Sequence, residues 1–168
     1  EIRPRDWSSD VCSSDLGLKI VYPSNPYDAK GLLCAAIEDP NPYLFFEHKL
    51  MYRTLKGLIP DDYYTIPVGR AAILTTGTDL TIVTYGMGVH WVLDCLKSLP
   101  QIKGEVIDLR TLLPWDKEAV SSSLKKTHRM LIVHEDTLTG GIGAEISAWV
   151  NENCFEYLDA PVRRVASL

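Results

Sequence analysis

The run from Val106 to Gly141 constrains the fold of this chain more than any other part of it. It reads VIDLRTLLPWD, then a stretch of helical character, then MLIVHEDTLTGG opening into GAEISAWV. Each apolar segment ends in polar turn residues and is followed by an amphipathic segment. Strands that repeat in this β-loop-α order are buried between helices, so the run predicts an α/β fold with a largely parallel sheet flanked by helices. Polar ligands in such sheets gather at the carboxyl ends of the strands, which directs attention to the HED and TGG loops.

Around this run the other elements can be read in order. LKIVYP from Leu18 predicts a short strand stopped by Pro23. Asn25 followed by Pro26 suits a helix start, because a capping side chain and a proline at the first helical position both answer the orphan amides there. Ala29, Leu32, Leu33, Ala36 and Ile37 recur at helical spacing to about Glu38, and Pro40 and Pro42 end the helix. YLFFE from Tyr43 predicts a buried strand. Residues 48–69 keep no period of two or 3.6 and lack the Gly/Ser richness of a random coil, so they predict a linker ordered by its tyrosines. From Arg70 onward, AAILTTG and LTIVTYG predict two strands around the turn at Gly77, and Val89, Val92, Leu93 and Leu96 lie on one face of a helix. EVIDLRTLL predicts one strand, and Asp116 opens a helix whose acidic start and terminal Lys125 and Lys126 complement its dipole. MLIVHE predicts a central strand, Ala144–Phe155 a helix and VRRVAS a last strand.

A chain of 168 residues with 46% hydrophobic content can bury one sizeable core, and a net charge of −5 gives no attraction to nucleic acid or an anionic membrane. No apolar run approaches the roughly 20 residues that span a bilayer, which fits a cytoplasmic bacterial enzyme. Cys34, Cys95 and Cys154 fall in apolar helical patterns without CxxC spacing, and buried free thiols are expected.

YPSNPYDAKGLL, FFEHKLMYR, GTDLTIVTYG and EYLDAPVRRVAS, in this order, resemble the β subunit of the thiamine-diphosphate-dependent 2-oxoacid dehydrogenases. The resemblance covers Gly17 to Leu168. It implies the end of a transketolase pyrimidine-type domain over 17–47, a linker over 48–69 and a transketolase C-terminal domain over 70–168. The segment Asp6–Leu16, DWSSDVCSSDL, lies outside it and resembles one reading frame of a sequencing-library adapter, so residues 1–16 are expected to be an artefactual or disordered leader and the chain a truncated one.

The resemblance further implies a heterotetramer of α subunits and a second β subunit, docked on a lipoyl-acyltransferase core. Thiamine diphosphate with magnesium would be held by the α subunit and the β residues upstream of Gly17. The family's catalytic glutamate and histidine also lie upstream, so no catalytic or cofactor-binding residue is expected in this chain, which alone would be inactive. The parent would be an oxidoreductase that oxidatively decarboxylates a small-molecule 2-oxoacid and transfers the acyl group to lipoyl groups. PWD, HED, TGG and CFEYLDAP favour a branched-chain substrate such as 2-oxoisovalerate, with pyruvate as the alternative. A non-catalytic dimerisation and core-docking module, or another transketolase-family enzyme such as deoxyxylulose-phosphate synthase, are the rival readings.

Candidate sites follow from both sources. Ala36, Ile37, Asp39 and Asn41 match family positions for a structural potassium ion, and a helix end with free carbonyls and an acidic side chain suits a cation. Asp159, with Ala160 and Pro161, matches the region where the acyltransferase core docks through basic residues. His134 and Glu135 facing Gly140 and Gly141 read as an acid-base pair beside an anion-binding loop, or else His134 reads as a hydrogen-bonded interface or loop-anchoring residue, the second being favoured. His90 and His128 read as structural, His48 has no identifiable partner, and Lys125, Lys126 and Arg129 read as a solvated helix end. Apolar strands such as YLFFE, left without neighbours, would drive dimerisation or aggregation.

Overall fold

A computed structural model of the chain describes residues 17–167; the expectation for residues 1–16 lies outside them. Helix α1 (Pro26–Glu38) begins as its sequence requires, with Asn25 Oδ1 accepting from the Asp28 amide at 2.9 Å and proline at its first position. It connects two short parallel strands, β1 (Lys19–Val21) and β2 (Tyr43–Phe45). Residues 48–69 pack back on α1. Tyr64 stacks on Tyr27 with ring centroids 4.6 Å apart, and its hydroxyl donates to the Tyr27 carbonyl. Gly31 admits this packing, since a Cβ there would lie 2.7 Å from Ile66 and 2.8 Å from Tyr64. The Lys30 ammonium donates to the carbonyls of Pro60 and Asp62. A single turn of helix, α2 (Met51–Thr54), also forms here, too short for any periodicity to reveal.

The larger sheet has the order β3-β5-β4-β7-β8. Strands β4 (Leu80–Thr84), β5 (Gly104–Asp108), β7 (Met130–Thr137) and β8 (Arg163–Ser167) are parallel, and β3 (Ala72–Thr75) runs antiparallel to β5 at one edge. Strands β3 and β4 flank Gly77 without pairing, because β5 enters between them. The connections α3 (Met87–Ser98), α4 (Lys117–Thr127) and α5 (Ile142–Cys154) cover the sheet, α3 on one face and the other two opposite. Alternation along the strands divides the core accordingly. Val83, Ile107 and Ile132 meet Leu124, Ile146 and Val150, whereas Ile82, Val106 and Val133 meet Val92 of α3. Each such side chain contributes about 1.5–3 kcal/mol by leaving water.

The predicted strand EVIDLRTLL is two strands. Arg110 adopts a left-handed backbone with φ 58°, its amide donating to Asp108 Oδ1 at 3.0 Å, and the chain turns off the large sheet. The remainder, β6 (Thr111–Leu113), pairs antiparallel with β1 in a second sheet of order β2-β1-β6. One broken strand thus ties the two parts of the molecule together.

Further expectations require correction. The strand at YLFFE is not buried, since Leu44 and Phe46 are exposed. Cys34, Cys95 and Cys154 are free thiols, but only Cys154 is buried, and Cys95 is exposed on the outer side of α3. Lys126 does not simply point into solvent. Its ammonium pairs with Glu105, a buried carboxylate on β5, which would otherwise be an uncompensated charge. Among the described residues, no helix is long and apolar enough to cross a membrane.

Candidate functional site

At the carboxyl ends of β4, β5 and β7, where an open sheet would offer a ligand crevice, the segment Tyr22–Asp28 lies instead. It is held by a buried polar cluster. Asp108, at the end of β5 and fully buried, accepts from Ser24 Oγ at 2.5 Å. Arg110 reaches back to Asp28 at 3.0 Å, and Asp28 is only 4% exposed. Asn25 Nδ2 donates to the same Asp28 carboxylate at 2.7 Å, and His90 Nε2, at the start of α3, donates to the Ser24 carbonyl at 2.8 Å. Main chain completes the contact, with the Tyr22 amide donating to the Arg110 carbonyl.

Asp28 thus takes the Arg110 guanidinium, and Asp108 the Ser24 hydroxyl and the Arg110 amide. Burial raises the Asp108 pKa to about 6, opposed by the hydrogen bonds from Ser24 and the Arg110 amide. A folded-state value above the unfolded one means that the Asp108 contribution is fully present below pH ~4 and lost as pH rises through about 6. Asp108→Asn is expected to flatten this part of the pH dependence by something on the order of 1–3 kcal/mol, read as the difference between the two proteins' urea-unfolding curves from pH 4 to 7. Parallel curves would show that Asp108 does not titrate in this window.

The second half of the junction is aromatic. Tyr22 lies against Phe46 and Tyr85, with ring centroids 5.9 and 5.5 Å apart, and Tyr85 stacks on His134 at 6.1 Å. His134 is 2% exposed, and neither ring nitrogen has a hydrogen-bond partner among the described residues. Desolvation lowers its pKa and favours the neutral imidazole. The hydrogen-bonded anchor expected for His134 is thus a packing anchor, lying against the start of α5 where Gly141 and Gly143 leave room for the ring. Nor does His134 form a pair with Glu135, because neighbouring strand residues point to opposite faces. Glu135 instead accepts from His48 Nε2 at about 3.1 Å.

The remaining candidates are dispersed. Ala36 and Ile37 close α1, and Asp39 follows it. One Asp39 oxygen accepts from the amide and side chain of Asn41 at 2.9 and 2.7 Å, the other from Lys19 and Tyr43. The Lys19 ammonium, followed by the Asn41 amide, holds the Asp39 carboxyl well below the usual carboxylate range. Asp159 is exposed, on a turn whose amide donates to the His128 carbonyl. Among the described residues, no three His, Cys, Asp or Glu side chains gather as a metal site.

Residue-pattern reading missed Ser24, Asp28, Asp108 and Arg110. The available signal was an aspartate and an arginine inside an apolar run, since buried charges in a strand require partners.

Comparison with known proteins assigns the fold. The family model for the transketolase C-terminal domain matches residues 69–168. The chain belongs to this family. The transketolase C-terminal domain here begins just before Arg70, and the Asp108–Arg110 break, His134 and the GGIG turn all lie within it. The 2-oxoisovalerate dehydrogenase subunit beta of Bacillus subtilis is 49% identical over 158 residues, 93% of this chain and 48% of that protein. The pyruvate dehydrogenase E1 component subunit beta of Mycoplasma pneumoniae is 48% identical, over 89% of this chain and 46% of that protein. The acetoin:2,6-dichlorophenolindophenol oxidoreductase subunit beta of B. subtilis is 46% identical, over 90% and 44% respectively. The chain spans about half the length of these relatives. Among solved structures, a split-gene transketolase described as an inactive beta4 tetramer superposes with TM-score 0.71 at 22% identity, over 91% of this chain and 51% of that one.

Proposed function

We propose that this chain is the carboxyl-terminal part of a β subunit of a thiamine-diphosphate-dependent 2-oxoacid dehydrogenase, in which it assembles and positions rather than performs chemistry. The observation that carries the reading is the 46–49% identity to β subunits over about nine-tenths of the chain. We take 17–47 as the end of a pyrimidine-type domain, 48–69 as its connection and 70–168 as the C-terminal domain. The buried Asp28–Arg110 and Ser24–Asp108 contacts fix the orientation of the first against the last.

The residues present do not form a site for thiamine diphosphate and magnesium. The glycines that could cradle a diphosphate at the start of α5 are taken up by the His134 ring, and the strand ends are covered by Tyr22–Asp28. In the reading proposed here, the cofactor is held by upstream β residues and the α subunit, and supplies the carbanion chemistry there. No step is assigned to this chain. A potassium ion at Ala36, Ile37, Asp39 and Asn41 would rely on main-chain carbonyls, because the Asp39 carboxylate already holds Lys19. Asp159 offers an exposed carboxylate to basic residues of a lipoyl-acyltransferase core. The exposed apolar residues Leu33, Ile37, Tyr52 and Leu58 support association with α and β partners.

The motifs PWD, HED and TGG favour a branched-chain substrate. The test is the parent protein carrying this sequence, assembled with its α subunit, thiamine diphosphate and magnesium, with 2-oxoacid-dependent reduction of an artificial electron acceptor as the readout. Expected is the highest kcat/KM with 2-oxoisovalerate. Preference for pyruvate would overturn the substrate assignment, and turnover of no 2-oxoacid would overturn the function.

A further inference from the structure

The seam between residues 17–47 and the C-terminal domain holds two buried carboxylates in unequal surroundings. Asp28, on α1, takes the Arg110 guanidinium at 3.0 Å. Asp108, at the end of β5 and fully buried, has no cation in contact among the described residues; its partners are the Ser24 hydroxyl at 2.5 Å and the Arg110 amide at 3.0 Å. We propose that this seam is a proton-operated latch: protonated Asp108 holds the segment Tyr22–Asp28 against the ends of β4 and β5, and ionised Asp108 releases it. The inference concerns the seam itself and does not depend on the reaction of the parent.

Geometry gives the reason. A carboxylate removed from water is costly as an anion unless a cation compensates it. The cation that could serve, Arg110, is committed across the seam to Asp28, and its Nε is buried without an acceptor among the described residues. A guanidinium with an unused donor and two carboxylates to choose from has a second arrangement open to it, turned from Asp28 toward Asp108. With Asp108 neutral, nothing draws it there and the Asp28 contact persists. With Asp108 ionised, two negative charges face one positive charge, the carboxylates compete for Arg110, and the contact that ties α1 to the turn between β5 and β6 weakens.

The ionisable groups gathered around Asp108 are Asp28 from α1, Arg110 from the turn and His90 from α3, whose Nε2 donates to the Ser24 carbonyl at 2.8 Å. Its sheet neighbours, Thr84 of β4 and Ala72 of β3, carry no charge. Burial, opposed by the hydrogen bonds from Ser24 and the Arg110 amide, holds the Asp108 carboxyl up at about 6. The proton is thus bound more tightly in the closed seam than in an open one exposed to water. Closure has its full support below pH ~4 and loses it as pH rises through about 6.

Native-state hydrogen exchange on the full chain tests the latch. The Tyr22 amide donates to the Arg110 carbonyl across the seam at 2.8 Å and reports its opening, whereas the amides of Val83 and Ile132, paired in the central strands, report global unfolding. At pH 7.5, Tyr22 exchange is expected to be insensitive to low urea while Val83 and Ile132 follow urea. Tyr22 protection, corrected for the intrinsic rate, should be about tenfold lower at pH 7.5 than at pH 5. Asp108→Asn should abolish that change. Ser24→Ala, which removes a hydrogen bond to the carboxylate, should move its midpoint to higher pH. His90→Gln keeps a donor for the Ser24 carbonyl and should leave the pH dependence in place. Tyr22 exchange that follows urea with the core amides, a pH dependence that persists in folded Asp108→Asn, or its loss in folded His90→Gln would each overturn the proposal. If Asp108→Asn does not fold, an unmoved midpoint in Ser24→Ala overturns it.

Discussion

Arg110→Met is expected to destabilise the protein by about 3–5 kcal/mol at neutral pH, the cost of removing one partner from a buried ion pair and leaving the other charge uncompensated. Asp28 is bound to this guanidinium directly at 3.0 Å, and the same positive charge favours the ionised form of the fully buried Asp108, whose hydrogen bond from the Arg110 backbone amide survives the substitution. Methionine keeps much of the packed stem but brings no donor, so the loss measures the charge and not a cavity. The deficit should shrink as pH falls below about 6, because Asp108 then becomes neutral and needs no cation nearby. Asp28→Asn in the Arg110→Met background should recover part of the loss, since removing both partners is cheaper than removing one. Urea unfolding at pH 7.5 and pH 4.5 would measure these differences. A loss below about 1 kcal/mol at pH 7.5 would show that the ion pair is not what holds the two parts together.

How much of this was legible in the residues depends on distance along the chain. Helix α1 was readable because its signals are local: Asn25 and Pro26 start it, and Pro40 and Pro42 stop it. The parallel sheet was readable because apolar strands alternating with amphipathic helices allow few other arrangements. The break at Arg110 was not, since no propensity marks an arginine for a left-handed backbone, and what holds it there is tertiary: Asp28 lies 82 residues away. His48 and Glu135 are separated by 87 residues, so their pairing is invisible without the fold. The proposed pairing of His134 with Glu135 could have been doubted from the sequence alone, because adjacent residues in a strand diverge. Family resemblance supplied the domain type, where residue patterns alone supplied only the fold class.

Gly143→Ala should also destabilise the protein, by about 1–3 kcal/mol, in the first turn of a helix where alanine is normally the better residue by about 1 kcal/mol. The added methyl would lie 2.2 Å from His134 Nε2, 2.7 Å from its Cδ2 and 3.3 Å from Ile132 Cγ2. The imidazole cannot simply retreat, because it is 2% exposed and Tyr85 stacks on its other side, nearly parallel at 8°. Either the ring is driven against Tyr85 or α5 moves away from β7, and both disturb packing that is otherwise dense. His134→Ala alone leaves a void; combined with Gly143→Ala it removes the clash. The double variant should therefore be more stable than the sum of the single losses predicts, with a coupling of about 1 kcal/mol or more. Gly143→Ala should accordingly lower the urea-unfolding midpoint. An alanine at 143 that leaves stability within about 0.5 kcal/mol of the parent would mean that His134 has another place to go, and that the start of α5 does not hold Tyr85 in position.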